Sequence, residues 1–526
     1  MLIDRRRIFL ASGALGLGFL NACRSVAGPG ATHFLASVTD DNRVVRRKWQ
    51  EGAKNEWQTK YIAAVTWFKA NDGQTFDSAD PRSYLSWEKL IEIHNLSCTH
   101  GSQNLLPWHR LYLAYFEAAC QLALNDRSFA LPYWDWSESR AIPKDFYEVD
   151  ILKADRDLAK GESLAEEVCG PAVVDKLLAL DDFGSLHGLL RKTAPWFKAG
   201  KTHFGGQFEA GPHNGIHNGV GGIMADPLLS PTDPIFWLHH SNIDRIWALW
   251  QQRHAAIATN SMEPPFVAGT TVKAEIEAGA VLADDKRWTT TTCRLIRSET
   301  EDEVASTAVP ILSSANNHEG VVSMVNADLV DFGVLGYSYD SQPKALGNSR
   351  VVVKPVERVF KNFEGRSGAI ENGVLRTEFS ALTSGYEDLL RLFAKNLKSR
   401  VVISAGKLPF PTRIDLRKQL ILRFFVTSND TPLSLNDMIS AAAFKRPEYV
   451  GFHSFFTLGH HASTDDMNSI AMEFDASAVV QEIVKRGVPK TISVLAVPFN
   501  LKTGKLESGF LKGSSAEVIL TFGFAS

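Results

Sequence analysis

IHNLSCTHGSQNLLPWHR, from Ile93 to Arg110, holds three histidines, His94, His100 and His109, with Cys98 two residues before the middle one. Just upstream, SYLSWEKLIEIHN sets Leu85, Leu90, Ile91 and His94 near one face at helical spacing. Downstream, PWHRLYLAYFEAACQLALN opens on Pro107, a residue suited to a first helical turn, and reads as a long helix. Two imidazoles therefore ride on helices, and His100 sits on the connection between them. Cys120 falls inside the second helix and reads as a buried small hydrophobe.

A second histidine group follows. AGPHNGIHNGVGG carries His213 and His217 at i and i+4, a spacing that places both on one helix face and can aim two imidazoles at one ion. SPTDPIFWLHHSNIDRIWALWQQRHAAI then offers Thr232 or Asp233 as a cap and Pro234 in a first turn, and reads as a helix of about seven turns. Its His240 completes a second trio. His239 projects about 100° away from it on a helix, and the register favours His240. Asp244 then sits one turn on, either orienting the site or pairing with Arg245 or a neighbouring chain segment. Imidazole donors without carboxylate or thiolate suit copper or zinc, in two separate three-histidine sites or one dinuclear site. His187, His203, His254, His318, His453, His460 and His461 have no comparable partners and read as structural or surface residues.

At 526 residues the chain exceeds one ordinary core, so two domains are expected. Its 44% hydrophobic and 22% charged content is that of a soluble globular enzyme, and a net charge of −3 gives no reason to expect a nucleic-acid partner. Beyond Cys23, the cysteines at 98, 120, 169 and 293 are too few for a disulfide framework. Arg5 to Arg7 precede an apolar run too short and Gly-rich to span a membrane. Arg6-Arg7-Ile8-Phe9-Leu10 resembles the twin-arginine export signal of bacteria, which predicts a periplasmic or secreted protein. Cleavage would follow Ala27, or Cys23 would be lipidated through Leu20-Asn21-Ala22-Cys23.

Residues 44–70 carry helical spacing, ALPYWDWSES reads as a packed loop, and residues 140–205 read as helical and polar. After residue 265 Thr, Val, Ser and Gly rise, and QLILRFFVTSN, TISVLAVPFNL and AEVILTFGF alternate like strands. The organisation expected is a signal at 1–27, a mainly α catalytic domain at 28–340, a linker at 341–380, and a mainly β, sandwich-like domain at 381–526.

These motifs resemble a family. CTHGSQNLLPWHRLYLAYFE is similar to the first copper motif of tyrosinases, catechol oxidases and molluscan haemocyanins, and DPIFWLHHSNIDRIW, from Asp233 to Trp247, to their second. PHNGIHN supplies the matching pair, and LPYWDW, Leu131 to Trp136, also occurs there. GYSYD, with Tyr337 and Tyr339, resembles the motif that closes the plant polyphenol oxidase core, and the β region resembles the shielding domain of latent polyphenol oxidases.

The resemblance implies a four-helix bundle around a type-3 centre of two copper ions, with O2 as co-substrate and a small phenol as substrate. His94, His100 and His109 would hold the first copper, and His213, His217 and His240 the second, although the interval from His94 to His100 is shorter than in most relatives. The implied reactions are ortho-hydroxylation of monophenols and oxidation of o-diphenols to o-quinones. A catechol oxidase without the first activity, or a haemocyanin-like O2 carrier, uses the same centre. Glu209 and Asn214 match the positions that hold a water as base in the family. Cys98-Thr99-His100 resembles relatives in which the cysteine sulfur is bonded to the histidine ring, which would fix the His100 rotamer. The C-terminal domain would cover the pocket, with Phe452, Phe455 and Phe456 as candidate plugs, and cutting between the domains would raise turnover.

Overall fold

The computed structural model describes residues 43–257 apart from 53–54, 75–81, 83–84, 99, 101–104, 181–185 and 187–202. It then describes 292–296, 316–318, 321–325, 329, 335–341, and 358–456 and 470–525 apart from 365–367, 381–384, 396–398, 412 and 515. The N-terminal export pattern, Cys23, His187, His460 and His461 lie outside these residues.

Four helices build the first unit: α1 (Glu56–Ala70), α2 (Trp87–Ser97), α3 (Leu105–Leu124) and, after the short α4 (Glu166–Cys169), α5 (Pro171–Ala179) and α6 (Asn214–Val220), the long α7 (Pro234–Ile257). α3 is buried along all of Leu105 to Cys120, so it runs through the middle of the bundle. It begins two residues before Pro107, and Cys120 is buried as expected. One aromatic cluster joins the four long helices. Phe116 of α3 stacks on Trp237 of α7 at 3.8 Å, with Phe68 of α1 5.8 Å and Trp87 of α2 6.2 Å from Phe116.

Local chemistry sets the helix starts. Ser86 Oγ accepts the Lys89 backbone N–H at 3.2 Å and caps α2. Of the two candidate caps for α7, Asp233 does the work, accepting the Ile235 N–H at 3.0 Å. Arg156 clamps the same carboxylate at 2.6 and 2.7 Å. Two readings are corrected. Val44–Arg46 is a strand, β1, because it pairs in parallel with Tyr337–Tyr339. Between residues 140 and 205 the described chain holds helices of nine residues or fewer, interrupted at Pro143, Gly161 and Gly170, and the strand β2 (His203–Gly205).

β1 and its partner β3 (Tyr337–Tyr339) close the bundle through one buried carboxylate. Asp244 of α7 accepts from Arg110 Nε at 2.5 Å, from Arg46 Nη1 at 3.4 Å, and from the hydroxyls of Tyr337 and Tyr339 at 2.6 Å each. The cations hold the Asp244 carboxyl below its ordinary pKa against the upward push of burial.

The second unit is a sandwich. One sheet runs β2-β10-β7-β12-β4 and the other β9-β8-β11-β6-β5. Their ranges are β4 Arg358–Glu364, β5 Ala369–Glu371, β6 Val374–Ser380, β7 Arg400–Leu408, β8 Leu420–Ser428, β9 Tyr449–Ser454, β10 Ile470–Asp475, β11 Thr491–Asn500 and β12 Glu517–Ala525. Strands β4 to β6 correct the linker expected at 341–380, since the sheets already begin at Arg358. β8 is buried on both faces, which is why it reads as one apolar run. Leu422, Phe424 and Val426 point into the sandwich core, while Ile421 and Phe425 join the core of the helical unit.

Asp244→Ala would leave two guanidinium groups buried without their shared carboxylate. We expect a loss of about 3–5 kcal/mol of stability, read as a lowered midpoint of thermal unfolding; an unchanged midpoint would count against this role.

Candidate metal centre

His94 lies in the last turn of α2, His100 on the connection and His109 in the first turns of α3. His109 Nδ1 lies 2.8 Å from the Leu105 carbonyl oxygen one turn earlier. Donation of an Nδ1–H there fixes the tautomer and turns the Nε2 lone pair into the site. Cys98 Sγ lies 3.3 Å from His100 Nδ1, 3.7 Å from His100 Nε2 and 3.6 Å from His109 Nε2. One donor atom from each of His94, Cys98, His100 and His109 lies within 4.8 Å of the others, and all four residues are buried. The Cys98 sulfur thus lies beside the three imidazoles, within reach of the His100 ring.

The second group is set by a kink. Glu209–His213 forms a wide helical turn in which Gly211 leaves helical geometry (φ −89°, ψ −109°) and Pro212 offers no N–H. α6 follows directly. A Cβ on Gly215 would fall 2.6 Å from Val168 Cγ1, so only glycine lets α6 lie this close to α4. His213 Nδ1 lies 2.8 Å from Asn214 Oδ1, and His217 Nδ1 2.9 Å from the Met224 carbonyl oxygen. Both rings thus turn Nε2 inward. His217 Nε2 faces His240 Nε2 at 3.2 Å.

Helical geometry favours His240 over its neighbour His239, yet His239 also lies close to the second group. Its ring lies 4.9 Å from that of His217 and 5.6 Å from that of His213, and it shares the 4.8 Å group with His213, His217 and His240. A 100° step separates two Cβ atoms, but an imidazole is long enough to reach a site lying between the two directions. The HisHis pair was the sequence signal for it. Asp244 makes no bond to His240 among those described and does not pair with Arg245. Arg245 instead reaches Asp135 of the LPYWDW loop at 2.5 Å.

The two groups face each other. The rings of His109 and His240 stack at 4.2 Å, and those of His100 and His213 lie 5.7 Å apart. They form one dinuclear site. Burial pushes the His109 pKa down to about 3 and the His213 pKa to about 4, and those of His217, His239 and His240 well below the usual value. The rings are therefore neutral, which is the ligating form. His213 Nε2, His240 Nδ1 and both nitrogens of His239 are buried with no hydrogen-bond partner among the described residues. Buried polar atoms normally have one, and a metal ion would supply it at the inward-turned His213 Nε2.

Glu209 and Asn214 are both buried, Glu209 in the turn that delivers His213. After burial itself, the nearby Glu209 carboxylate raises the Cys98 thiol pKa further. Of the three candidate plugs, one reaches the centre. Phe456 stacks on His217 at 4.1 Å and 17°, and stands 6.0 Å from both His100 and His213. Phe452 packs against Gly211 and Gly215, and Phe455 lies in the sandwich core.

The family model for the common central domain of tyrosinase matches residues 62–172 and 153–253. A tyrosinase of Streptomyces galbus is 32% identical over 254 residues, covering 40% of this chain and 83% of that protein. The chain belongs to the tyrosinase family. A tyrosinase of Streptomyces glaucescens is 37% identical over 180 residues, covering 30% of this chain and 65% of that protein, just under two thirds of its length. Among solved structures, a latent aurone synthase (polyphenol oxidase) superposes with a TM-score of 0.56 at 18% identity, over 93% of this chain and 91% of that one. A latent apple tyrosinase gives a TM-score of 0.55 at 16% identity, over 92% and 98%. The fold is thus shared over both units. The cofactor of the tyrosinase family is a type-3 pair of copper ions, and the two buried histidine groups fit it in number, donor type and convergence.

Copper-loaded protein should carry two ions by metal analysis. His240→Ala should retain about one, because its Nε2 faces the same point as that of His217, and His239→Ala should retain both.

Proposed function

We propose that this protein oxidises phenols with O2, hydroxylating monophenols at the ortho position and converting o-diphenols to o-quinones. The facing, buried, neutral histidine groups carry the reading. Bound there, the copper pair would supply the two-electron redox chemistry with O2 that ring oxidation requires.

The protein's own residues do the rest. His94, His100 and His109 would hold one ion and His213, His217 and His240 the other. The Leu105 and Met224 carbonyls and the Asn214 amide oxygen keep three of these rings in one tautomer. The aromatic shell of Phe236, Trp108 and Tyr112 excludes water. A phenol ring would lie where Phe456 now lies, flat on His217. Glu209, with a water, would take the hydroxyl proton of a monophenol. Asn214 Nδ2 donates to the Ser454 carbonyl at 3.3 Å, so withdrawal of that strand end gives it to the water. The C-terminal sandwich is thus an intramolecular shield, and the intact chain is latent. Cys98 bonds to Cε1 of His100, the carbon between the two nitrogens that its sulfur already faces. That thioether replaces one S–H and one C–H, and O2 accepts the two electrons and two protons. The Arg5 to Arg7 pattern directs export, with cleavage after Ala27 or lipidation at Cys23.

Three outcomes test this. Phe456→Gly in the copper-loaded full chain should raise catechol turnover about tenfold or more; no change would remove the plug. In that background Glu209→Gln should lower monophenol oxidation about 100-fold while sparing catechol oxidation. A parent that oxidises catechol and never consumes a monophenol is a catechol oxidase instead. The peptide joining Cys98 to His100 should run two hydrogens light after reduction, whereas ready alkylation of Cys98 would refute the bond.

A further inference from the structure

The two units are held together by more than their connecting chain. β2 of the helical unit extends the shield's sheet, pairing in parallel with β10 from His203↔Ile470 to Gly205↔Met472. Ile421, Phe425, Val497 and Phe499 of the shield are buried in the same core as the helices. Among the described residues three ion pairs cross the boundary, each with its acid on the helical unit: Asp157–Lys418 at 2.8 Å, Glu166–Lys445 at 3.0 Å and Glu167–Arg423 at 2.7 Å. The last is buried. Arg423 Nε also lies 3.0 and 3.1 Å from the two Glu167 oxygens, and the Tyr449 hydroxyl donates to Glu167 at 2.8 Å. Arg423 Nη1 donates to the Met438 carbonyl at 2.8 Å.

Strand geometry explains the placement. Arg423 lies between Ile421 and Phe425 on the β8 face turned to the helical unit. Tyr449 opens β9, and the same strand leads on to Ser454 and the plug Phe456. The anchor and the plug thus sit on one short stretch of chain.

We infer that cutting the connection between the units does not uncover the site: the C-terminal sandwich stays seated as a non-covalent, strand-sharing inhibitor, and the Glu167–Arg423–Tyr449 cluster is its release point. The partner of the exposed helical face is the chain's own C-terminal unit, recognised by complementary charge and an open sheet edge. This rests on the shield proposed above and changes its consequence, since a cut and a release become separate events. Release is sensitive at Glu167, because its loss strands a guanidinium and a phenol only in the docked state, whereas both reach water when the units part.

The test uses the full, copper-loaded chain with a specific protease site inserted between Ala345 and Leu346. After cutting, we expect two fragments on a denaturing gel, one particle in size exclusion, and catechol turnover within about twofold of the uncut chain. Separate elution of the fragments at micromolar concentration overturns the inference. In the cut chain Glu167→Ala should weaken association about 100-fold or more, so that the fragments part on dilution and turnover rises. Adding Arg423→Met removes the stranded charge and should restore co-elution; fragments that stay apart in this double variant would overturn the assigned release point. Elution reports docking independently of chemistry. A separated helical fragment with copper bound but inert to catechol overturns the oxidase reading alone.

Discussion

Asp244 is a carboxylate taken wholly out of water, and two guanidinium groups and two phenols converge on it. Each partner comes from a different part of the chain: Arg46 from β1, Arg110 from α3, Tyr337 and Tyr339 from β3. Arg46 reaches on to Glu117 at 2.9 Å, and Arg110 to the Leu329 carbonyl at 2.9 Å. A buried charge is tolerated only where its bonds are nearly complete. The network therefore fixes the register of α3 against α7, and those two helices carry His109 and His240. The dinuclear geometry inherits its precision from a charge cluster centred one helical turn beyond His240.

Around the centre, the same economy of local bonding recurs. His109 and His217 give Nδ1 to carbonyls close along the chain, and His213 gives it to its neighbour Asn214. Short-range anchors of this kind let a loop, a kinked turn and two helices present Nε2 to one point. Burial does the complementary electrostatic work, pushing the pKa values of His109, His213, His217 and His240 down so that these rings stay neutral. The cost of so many buried nitrogens is what makes the bare protein a strong ligand.

The sandwich turns a pocket into a closed site. β8 and β11 have no solvent face, because one side packs in the sandwich and the other on the helices. A charged residue on such a strand must meet a partner, and Arg423 meets Glu167 across the unit boundary. Phe456 follows from the same seating, delivered by β9 onto His217.

Much of this was legible in order of residues. Periodicity placed α2, α3 and α7, and alternation placed β8, β11 and β12. The i, i+4 spacing of His213 and His217 and the motifs around His109 and His240 named six imidazoles that the fold gathers into one site. Those signals are local, and local physics fixes them. Strands β1 and β4 to β6 were missed because short strands gain their stability from partners distant in sequence. The sequence leaves Asp244 between the site, Arg245 and a neighbouring segment for the same reason, since its partners lie up to 198 residues away. The nearness of His239 to the second group, the place of the Cys98 sulfur beside His100, the choice of Phe456 over Phe452 and Phe455, and the meeting of Glu167 with Arg423 were decided only by packing. Composition and spacing determined which chemistry the chain carries; the tertiary structure decided which side chains share one desolvated volume, because that depends on how helices and sheets stack rather than on what each prefers alone.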